Sequence, residues 1–277
     1  MISPLKKIRR WAMISYRDLR QRFRINRNIT KYLGYAFKVN AKRLDIITTA
    51  HCNSMCYDCS QNCRQAPSRE KMNLEQIKKF ILESNKLNKR WKMIIISGGE
   101  SILEPDFFDL LNALLRYRKQ YSPKTKIRLL TNGRGKTVQE LLSKVPSEVE
   151  VVNTNKTSSI NPTFISINAA PKDMPGYEKA DFRNGCRLIR QCGGGLTKNG
   201  FYCCSTAGAI DRVMGFNLGL KSINANDEDF RKQLNTLCQY CGNFLYSNYK
   251  NKPGFQTKSW KKAFASYKVK KPKLSEY

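Results

Sequence analysis

The chain has 277 residues, with 51 Lys or Arg, 21 Asp or Glu, ten Cys and a single His, and its formal net charge is +30. This length allows one sizeable domain and a smaller one, and the single histidine argues against Ser-His-Asp triads and histidine-rich metal sites. No stretch is long and apolar enough for a transmembrane helix or a secretory signal, so we expect a cytoplasmic protein whose cysteines serve metals rather than disulfides.

The N-terminal residues, 1–43, are predicted to be a basic and partly helical segment. Residues 1–45 contain thirteen Lys or Arg against two acidic residues. A helix from Lys6 to Arg27 would place Leu19 and Phe23 on one side and arginines elsewhere. Such a segment suits a membrane surface, an anionic substrate or nucleic acid, and nucleic acid is the second choice because no base-reading motif is present. The alternative is a solvated basic surface without a partner.

A short buried strand over residues 44–49 is followed by a cysteine motif. Cys52, Cys56 and Cys59 have the spacing Cys-x3-Cys-x2-Cys, and no fourth Cys or His completes a tetrahedral set at the usual spacing. Three thiolates can hold three irons of a four-iron cluster and leave the fourth iron open to another ligand. Zinc sites usually bring cysteines in pairs or together with histidines, so a cluster is favoured over a zinc site with a distant fourth ligand. Cys63 is expected to be a spare, buried cysteine.

Two further strands end in glycine-containing turns. Residues 93–96 lead into Ser97-Gly98-Gly99-Glu100, and residues 127–130 lead into Thr131-Asn132-Gly133. Both runs are short, apolar and β-branched, as expected of buried parallel strands. The other predicted elements are helices over 73–87 and 105–121 and strands over 149–152 and 163–167. In strand-helix barrels the active site is built from the loops at such strand ends.

The order of strand, three cysteines, helix, strand, Gly-Gly-Glu, helix, strand and Thr-Asn-Gly resembles the radical S-adenosylmethionine (radical SAM) superfamily. The resemblance covers roughly residues 44–170 and implies an α/β fold, a partial (β/α)6 TIM-type barrel. It also implies a [4Fe-4S] cluster whose open iron binds S-adenosyl-L-methionine (SAM). The implied cluster ligands are Cys52, Cys56 and Cys59, and the implied SAM contacts are Ser97, Gly98, Gly99, Glu100 and Asn132.

The resemblance implies the following activity. An electron donor of the flavodoxin or ferredoxin type reduces the cluster, and cleavage of SAM gives a 5′-deoxyadenosyl radical that abstracts hydrogen from the substrate. The position before the third cysteine, which is aromatic in many members, is Asp58 in this chain, and Tyr57 lies one place earlier. Stacking of adenine on an aromatic side chain at that position is therefore not expected.

Four of the remaining cysteines cluster late in the chain. Cys186 and Cys204 are separated by seventeen residues, and Cys238 and Cys241 form a Cys-x2-Cys pair. Between the first two, Asn199-Gly200 predicts a tight hairpin that returns the chain toward Cys186. A helix predicted over 227–237 would present the pair at its end. Four thiolates from a hairpin and a helix end can enclose one metal centre.

This late cluster resembles the twitch extension of radical SAM enzymes, a shortened relative of the SPASM extension. For residues 171–246 the resemblance implies a second [4Fe-4S] cluster, with structural zinc as the alternative. The implied ligands are Cys186, Cys204, Cys238 and Cys241. Cys192 or Cys203 could replace one of them. Neighbouring strand residues face opposite sides, so only one of Cys203 and Cys204 should reach the metal, and the resemblance favours Cys204.

Residues 247–277 are predicted to be a basic and poorly packed tail. Residues 249–277 contain nine lysines against one acidic residue. Trp260 and Tyr267 could either stack on bases or pack the tail onto the barrel.

Three functions remain open from the sequence. The first is a radical SAM oxidoreductase that acts on a small polar molecule, such as a sugar, a cyclitol or a nucleotide-linked sugar. The second is a radical SAM enzyme that matures a peptide or a protein. The third is a zinc-stabilised nucleic-acid-binding protein that uses the basic ends. No side chain is singled out as a catalytic acid or base.

Overall fold

The computed structural model describes residues 4–160, 165–246 and 254–277. One six-stranded sheet, in the order β4-β3-β2-β1-β5-β6, forms its centre. The strands are β1 (Arg43–Ile47), β2 (Met93–Ser97), β3 (Lys126–Thr131), β4 (Glu150–Asn153), β5 (Gly194–Thr197) and β6 (Gly200–Tyr202). The helices are α1 (Pro4–Ile25), α2 (Arg27–Leu33), α3 (Leu74–Lys86), α4 (Phe107–Tyr121), α5 (Lys136–Leu142), α6 (Arg187–Cys192), α7 (Ser205–Met214), α8 (Asp227–Leu237) and α9 (Lys258–Val269).

The first four strands are parallel neighbours, as predicted from their apolar runs. Ile46 pairs with Ile96 and Ile94 pairs with Ile127, and all four isoleucines are buried. Crossover helices cover such strands, and an aromatic cluster of Phe80, Trp91 and Tyr117 fills the space beside α3 and α4. The carboxyl ends of β1, β2 and β3 therefore lie side by side at one edge of the sheet, where their loops meet.

The helix predictions for the chain between the strands are confirmed. Helix α3 begins after Asn73, whose side chain accepts from the backbone of Gln76 while the Gln76 side chain accepts from the backbone of Asn73. This reciprocal capping box satisfies two N–H groups that a helix start leaves open. Helix α4 starts two residues later than predicted, at Phe107.

The last predicted strand, over 163–167, is not formed in its described part. Residues 163 and 164 lie outside the described residues, and residues 165–167 have no strand pairing. The sheet instead continues on the other side of β1 through the hairpin at Asn199-Gly200, which the sequence predicts correctly. The hairpin belongs to the segment predicted to be an extension, yet β5 pairs directly with β1 in parallel. The fold is thus α/β with a mostly parallel sheet.

The predicted N-terminal helix is confirmed and packs against the protein by one side. Ile25 is buried, and the Gln21 side chain donates to the carbonyl of Phe244 at 2.7 Å. The backbone of Arg27 donates to Lys179 at the start of α2. Within the described part of the chain, no helix is both long and apolar enough to cross a bilayer.

The prediction of a poorly packed tail is wrong for residues 254–277. Trp260, Phe264 and Tyr267 on α9 are buried, and the indole N–H of Trp260 donates to the carbonyl of Tyr240 at 2.7 Å. The backbone of Tyr277 donates to Lys198 at 2.8 Å. The lysines dominate the composition, but aromatic residues at helical spacing give α9 an apolar side that packs on the domain.

Candidate active site

A cavity of about 360 Å³ opens at the carboxyl edge of the sheet. Its walls come from the loops after β1, β2 and β3 and from the starts of later helices. Seven of the sequence-predicted site residues line it, namely Cys52, Cys56, Cys59, Ser97, Gly98, Gly99 and Asn132. The structure therefore brings the cysteine motif and the two glycine-containing turns together, as parallel strands require.

The loop after β1 and the Gly-Gly turn after β2 are in direct backbone contact. The backbone N–H of Gly99 donates to Thr49, and that of Glu100 donates to His51, each at 2.8 Å. A Cβ on Gly99 would lie 2.5 Å from the carbonyl carbon of His51, and closer still to its oxygen. Gly98 has φ +148°, which side chains rarely adopt. Both glycines are thus needed for the position of the first cysteine.

Nearby donors point at the motif sulfurs. Cys52 Sγ accepts from the backbone N–H of Ser54 at 3.4 Å and from the Asn132 amide at 3.7 Å. Cys56 Sγ accepts from Lys156 Nζ at 3.3 Å. Hydrogen bonds to sulfur ligands are among the interactions by which a protein tunes an iron–sulfur cluster.

The first and third cysteines differ in the pKa of the thiol. A hydrogen bond from the Cys63 thiol, more than any other influence, lowers the pKa of Cys59 to about 6. Burial raises the pKa of Cys52 to about 11. Cys63 thus hydrogen-bonds Cys59 and lines the same cavity. The sequence analysis predicted only that it is a spare, buried cysteine.

The three motif thiols that line the cavity suit a four-iron cluster. In the described ranges, no group of three or more His, Cys, Asp or Glu side chains is placed to hold one metal ion. A four-iron cluster takes each thiolate on a different iron, so its sulfur ligands stand further apart than those around one ion. Cys52, Cys56 and Cys59 meet at one cavity, close to N–H donors and a glycine turn, and can supply these thiolates.

Glu100 connects two of the loops. It is fully buried, one carboxylate oxygen accepts from Thr131 Oγ1 at 2.8 Å, and the other accepts from the backbone N–H of Asn132 at 2.7 Å. Burial raises the pKa of this carboxyl. The side chain holds the Thr-Asn-Gly turn against the Gly-Gly turn, and its contact with SAM stays a prediction.

The unusual Asp58 has a structural role. It adopts a positive φ of 52° and is buried, and one of its carboxylate oxygens accepts from the backbone N–H of Gly254 at 2.6 Å. The Tyr57 ring instead lies beneath the Arg64 guanidinium, 3.9 Å from it. The cysteine loop is therefore attached to the C-terminal part of the chain at Asp58.

Arg212 makes a second such attachment. This buried side chain donates to the carbonyls of Gln61 and Ala66, at 3.0 and 2.9 Å, and to Tyr267 Oη at 2.8 Å. The cysteine loop is thereby joined to α7 and α9.

The cavity has a polar wall that the sequence analysis did not identify. Asp45 is buried on β1 and lines the cavity, Ser97 Oγ donates to its carboxylate at 2.5 Å, and Ser205 hydrogen-bonds it as well. Gly195, the strand neighbour of Asp45, leaves room for the start of α7, because a Cβ there would lie 2.4 Å from the backbone nitrogen of Ser205. Burial raises the pKa of Asp45. The signal for this wall was present in the sequence, as one carboxylate inside an apolar strand.

The four late cysteines predicted to form a second site lie close to one another. Cys186 and Cys204 precede α6 and α7, and Cys238 and Cys241 follow α8. Burial raises the pKa of Cys238 well above its usual range, and repulsion from the thiolates of the other three adds to this effect. Cys203 lies beside them, and its thiol lowers the pKa of Cys204 through a hydrogen bond. Cys192 lines the main cavity and is close enough to Cys204 for the charge of that thiolate to raise its pKa, although burial is the larger cause.

Comparisons with known proteins give the following matches. The family model of the Radical SAM superfamily matches residues 46–198. BtrN in complex with AdoMet and 2-DOIA has 12% sequence identity and a TM-score of 0.45, and the match covers 76% of this chain and 98% of that one. Selenomethionine-labelled BtrN in an open conformation has 12% identity, a TM-score of 0.36, and coverage of 79% and 96%. No curated protein matches the sequence.

Proposed function

Since the chain belongs to the radical SAM superfamily, whose members are SAM-cleaving radical enzymes, we propose that it removes hydrogen from a small polar substrate bound in this cavity. The observation that carries the substrate class is the wall of Asp45, Ser97 and Ser205 in the cavity that the three cysteines also line. A buried carboxylate with hydroxyl neighbours suits a ligand rich in hydroxyl or amino groups, such as a sugar, a cyclitol or a nucleotide-linked sugar.

We assign the cofactor contacts from the residues that line the cavity. Cys52, Cys56 and Cys59 would hold a [4Fe-4S] cluster, and Ser97, Gly98, Gly99 and Asn132 would hold SAM, with Glu100 supporting the Asn132 turn. When bound, these groups supply reductive cleavage of SAM and hydrogen abstraction from the substrate. The chain itself orients the substrate, keeps Cys52 and Cys56 near N–H donors, and excludes water with its buried strand ends.

We further propose a partial (β/α)6 barrel with a twitch-like extension that carries a second [4Fe-4S] cluster. Its ligands would be Cys186, Cys204, Cys238 and Cys241, which lie together beside the cavity wall at Ser205. A cluster there would supply an acceptor for the second electron when an alcohol or amine carbon is oxidised, the first electron leaving with the abstracted hydrogen atom. The proposed external electron donor is of the flavodoxin or ferredoxin type.

Metal analysis tests both sites. Anaerobically reconstituted protein should bind on the order of eight irons per chain with matching sulfide, from two four-iron clusters. Replacing Cys238 and Cys241 with Ala should lower the iron content to about four per chain, leave the spectrum of the first cluster intact and impair turnover. Cys203→Ala is the matched control and should keep both clusters. Unchanged iron in the double variant would contradict the second cluster, and zinc at one or two equivalents would assign a structural zinc site instead.

Asp45→Asn tests the substrate wall. Loss of the carboxylate should reduce turnover of a hydroxyl-rich substrate by roughly 5- to 150-fold, the effect of about 1–3 kcal/mol for one buried charged hydrogen-bond partner. The measurement is deuterium transfer from a panel of deuterated sugars and cyclitols into 5′-deoxyadenosine. Substrate-independent cleavage of SAM should change little.

Asp45→Asn should raise the stability of the folded protein, although it lowers turnover. Because burial raises the folded-state pKa, the contribution of this carboxyl to stability is fully present below its unfolded pKa and is lost as pH rises through the folded pKa. The Asn variant should therefore gain stability relative to the unaltered protein as pH rises above about 4.

Asp211→Asn is the control, since Asp211 is also a buried carboxyl with a raised pKa but lies outside the cavity. Equal losses of turnover in both variants would exclude a substrate role for Asp45.

A further inference from the structure

Helix α1 presents an exposed apolar stripe. Tyr16, Leu19 and Phe23 are separated by three and four residues, so they lie on one side of the helix. Their exposed fractions are 66%, 68% and 54%, and Met13 at the border of the stripe is equally exposed. Single exposed apolar residues are common, but a contiguous row of large ones marks a contact surface.

The opposite side of α1 packs against the protein. Asp18 and Ile25 are buried, and Gln21 donates to the carbonyl of Phe244. The helix is therefore seated on the domain with the apolar stripe directed outward, so the stripe is not the side that packs the helix onto the protein.

Arginines border the stripe on both sides. At 3.6 residues per turn, Arg9 and Arg20 fall beside Tyr16, whereas Arg22 falls beyond Leu19. Arg9, Arg20 and Arg22 are all exposed. The only acidic residue of α1 is Asp18, which lies on the buried side, so the exposed side has no negative charge.

Helix α2 extends this surface. It packs against α1 and exposes Tyr32 and Leu33 together with the cationic Arg27 and Lys31. Both helices thus combine exposed large apolar side chains with positive charge and no exposed carboxylate.

We propose that α1 and α2 dock on an anionic lipid surface and lie in its plane. An apolar stripe bordered by arginines fits such an interface, because the apolar side chains enter the acyl boundary while the guanidinium groups stay at the phosphates. A second copy of the chain would bring two strongly positive surfaces together against a net charge of +30 on each. A nucleic acid would pair with the arginines but leave Leu19 and Phe23 exposed to water. The inference does not depend on the reaction proposed above.

Vesicle flotation of the whole protein tests the proposal. The protein should bind vesicles of equal parts phosphatidylcholine and phosphatidylglycerol, bind phosphatidylcholine alone weakly, and lose binding as salt is raised. Leu19→Asp with Phe23→Asp should weaken binding to the anionic vesicles by at least about tenfold, given the apolar area withdrawn. Arg9→Glu with Arg20→Glu should also weaken it.

Two matched controls accompany these variants. Leu82 on α3 has the same exposed fraction as Leu19, 68%, so Leu82→Asp should bind as the unaltered protein does. Arg116→Glu with Lys119→Glu makes the same charge change on α4 and should have a smaller effect than the change on α1. Circular dichroism checks that each variant is folded.

Three results would overturn the proposal. One is vesicle binding by the Leu19/Phe23 variant equal to that of the unaltered protein. Another is a dimer of the unaltered protein in sedimentation that the same variant does not form, while neither protein binds vesicles. The third is tight binding of RNA that depends on the arginines of α1 when anionic vesicles are not bound.

Discussion

Replacing Cys52, Cys56 or Cys59 with Ala should abolish formation of 5′-deoxyadenosine by the anaerobically reduced protein. Each change removes one of three sulfurs at the same cavity, next to the glycine turn after β2. The loss should exceed the roughly 10–100-fold that removal of an outer partner of a metal ligand costs. Chromatography of the nucleoside product measures the activity, and the iron content should fall by about four per chain.

Cys63→Ala is the matched control for this series. Its thiol lines the same cavity and hydrogen-bonds Cys59, yet it lies outside the Cys-x3-Cys-x2-Cys motif. The variant should keep the first cluster and most of the product. If Cys59→Ala kept activity while Cys63→Ala lost it, the third ligand would be Cys63, and retained activity in all three motif variants would exclude a cluster at this motif.

Gly99→Ala should disable the site through the backbone alone. The added Cβ would overlap the carbonyl group of His51 and lie 3.1 Å from the Cβ of Cys52. These atoms are backbone or a Cβ fixed to it, so no flexible side chain can move away and the loop that carries Cys52 must shift. A displacement of about 1 Å at a reacting centre can cost about a hundredfold in rate, and we expect at least that loss of 5′-deoxyadenosine.

Gly34→Ala separates this steric effect from general destabilisation. Gly34 has φ +66° and nothing within 4 Å of an added Cβ, so the change strains the backbone without a clash. It should lower the melting temperature but keep the iron content and the activity per folded molecule. Wild-type SAM cleavage by Gly99→Ala would show that close contact between the two loops is not required.

The order of motifs along the chain was enough to predict the parallel strands and the meeting of their loops. Short, β-branched apolar runs that end in glycine, such as 93–96, favour buried strands, and parallel neighbours place their carboxyl ends at one edge. Long-range pairing was not predictable in the same way. Placing β5 beside β1 depends on the lack of a side chain at Gly195, which lets the start of α7 pack there.

Individual side-chain roles depended on geometry that local patterns do not contain. Glu100 was predicted to contact SAM from its place after the two glycines, but only the register of β2 and β3 puts it beside Thr131. Composition likewise gave the wrong prediction of a poorly packed tail. Its nine lysines dominate the composition, whereas packing depends on the apolar side of α9 formed by Trp260, Phe264 and Tyr267. Asp45 could have been singled out, since a carboxylate rarely occupies a buried strand without a role.

The hydrogen bonds of Asp58 and Arg212 mean that the cysteine loop is not a self-sufficient module. A fragment restricted to the family-matched residues, 46–198, would lack Arg212, Gly254 and Tyr267, and would leave the carbonyls of Gln61 and Ala66 without their donors. A fragment of the family-matched residues alone would therefore release the cysteine loop from these attachments, and exchanges between related enzymes should transfer the whole chain.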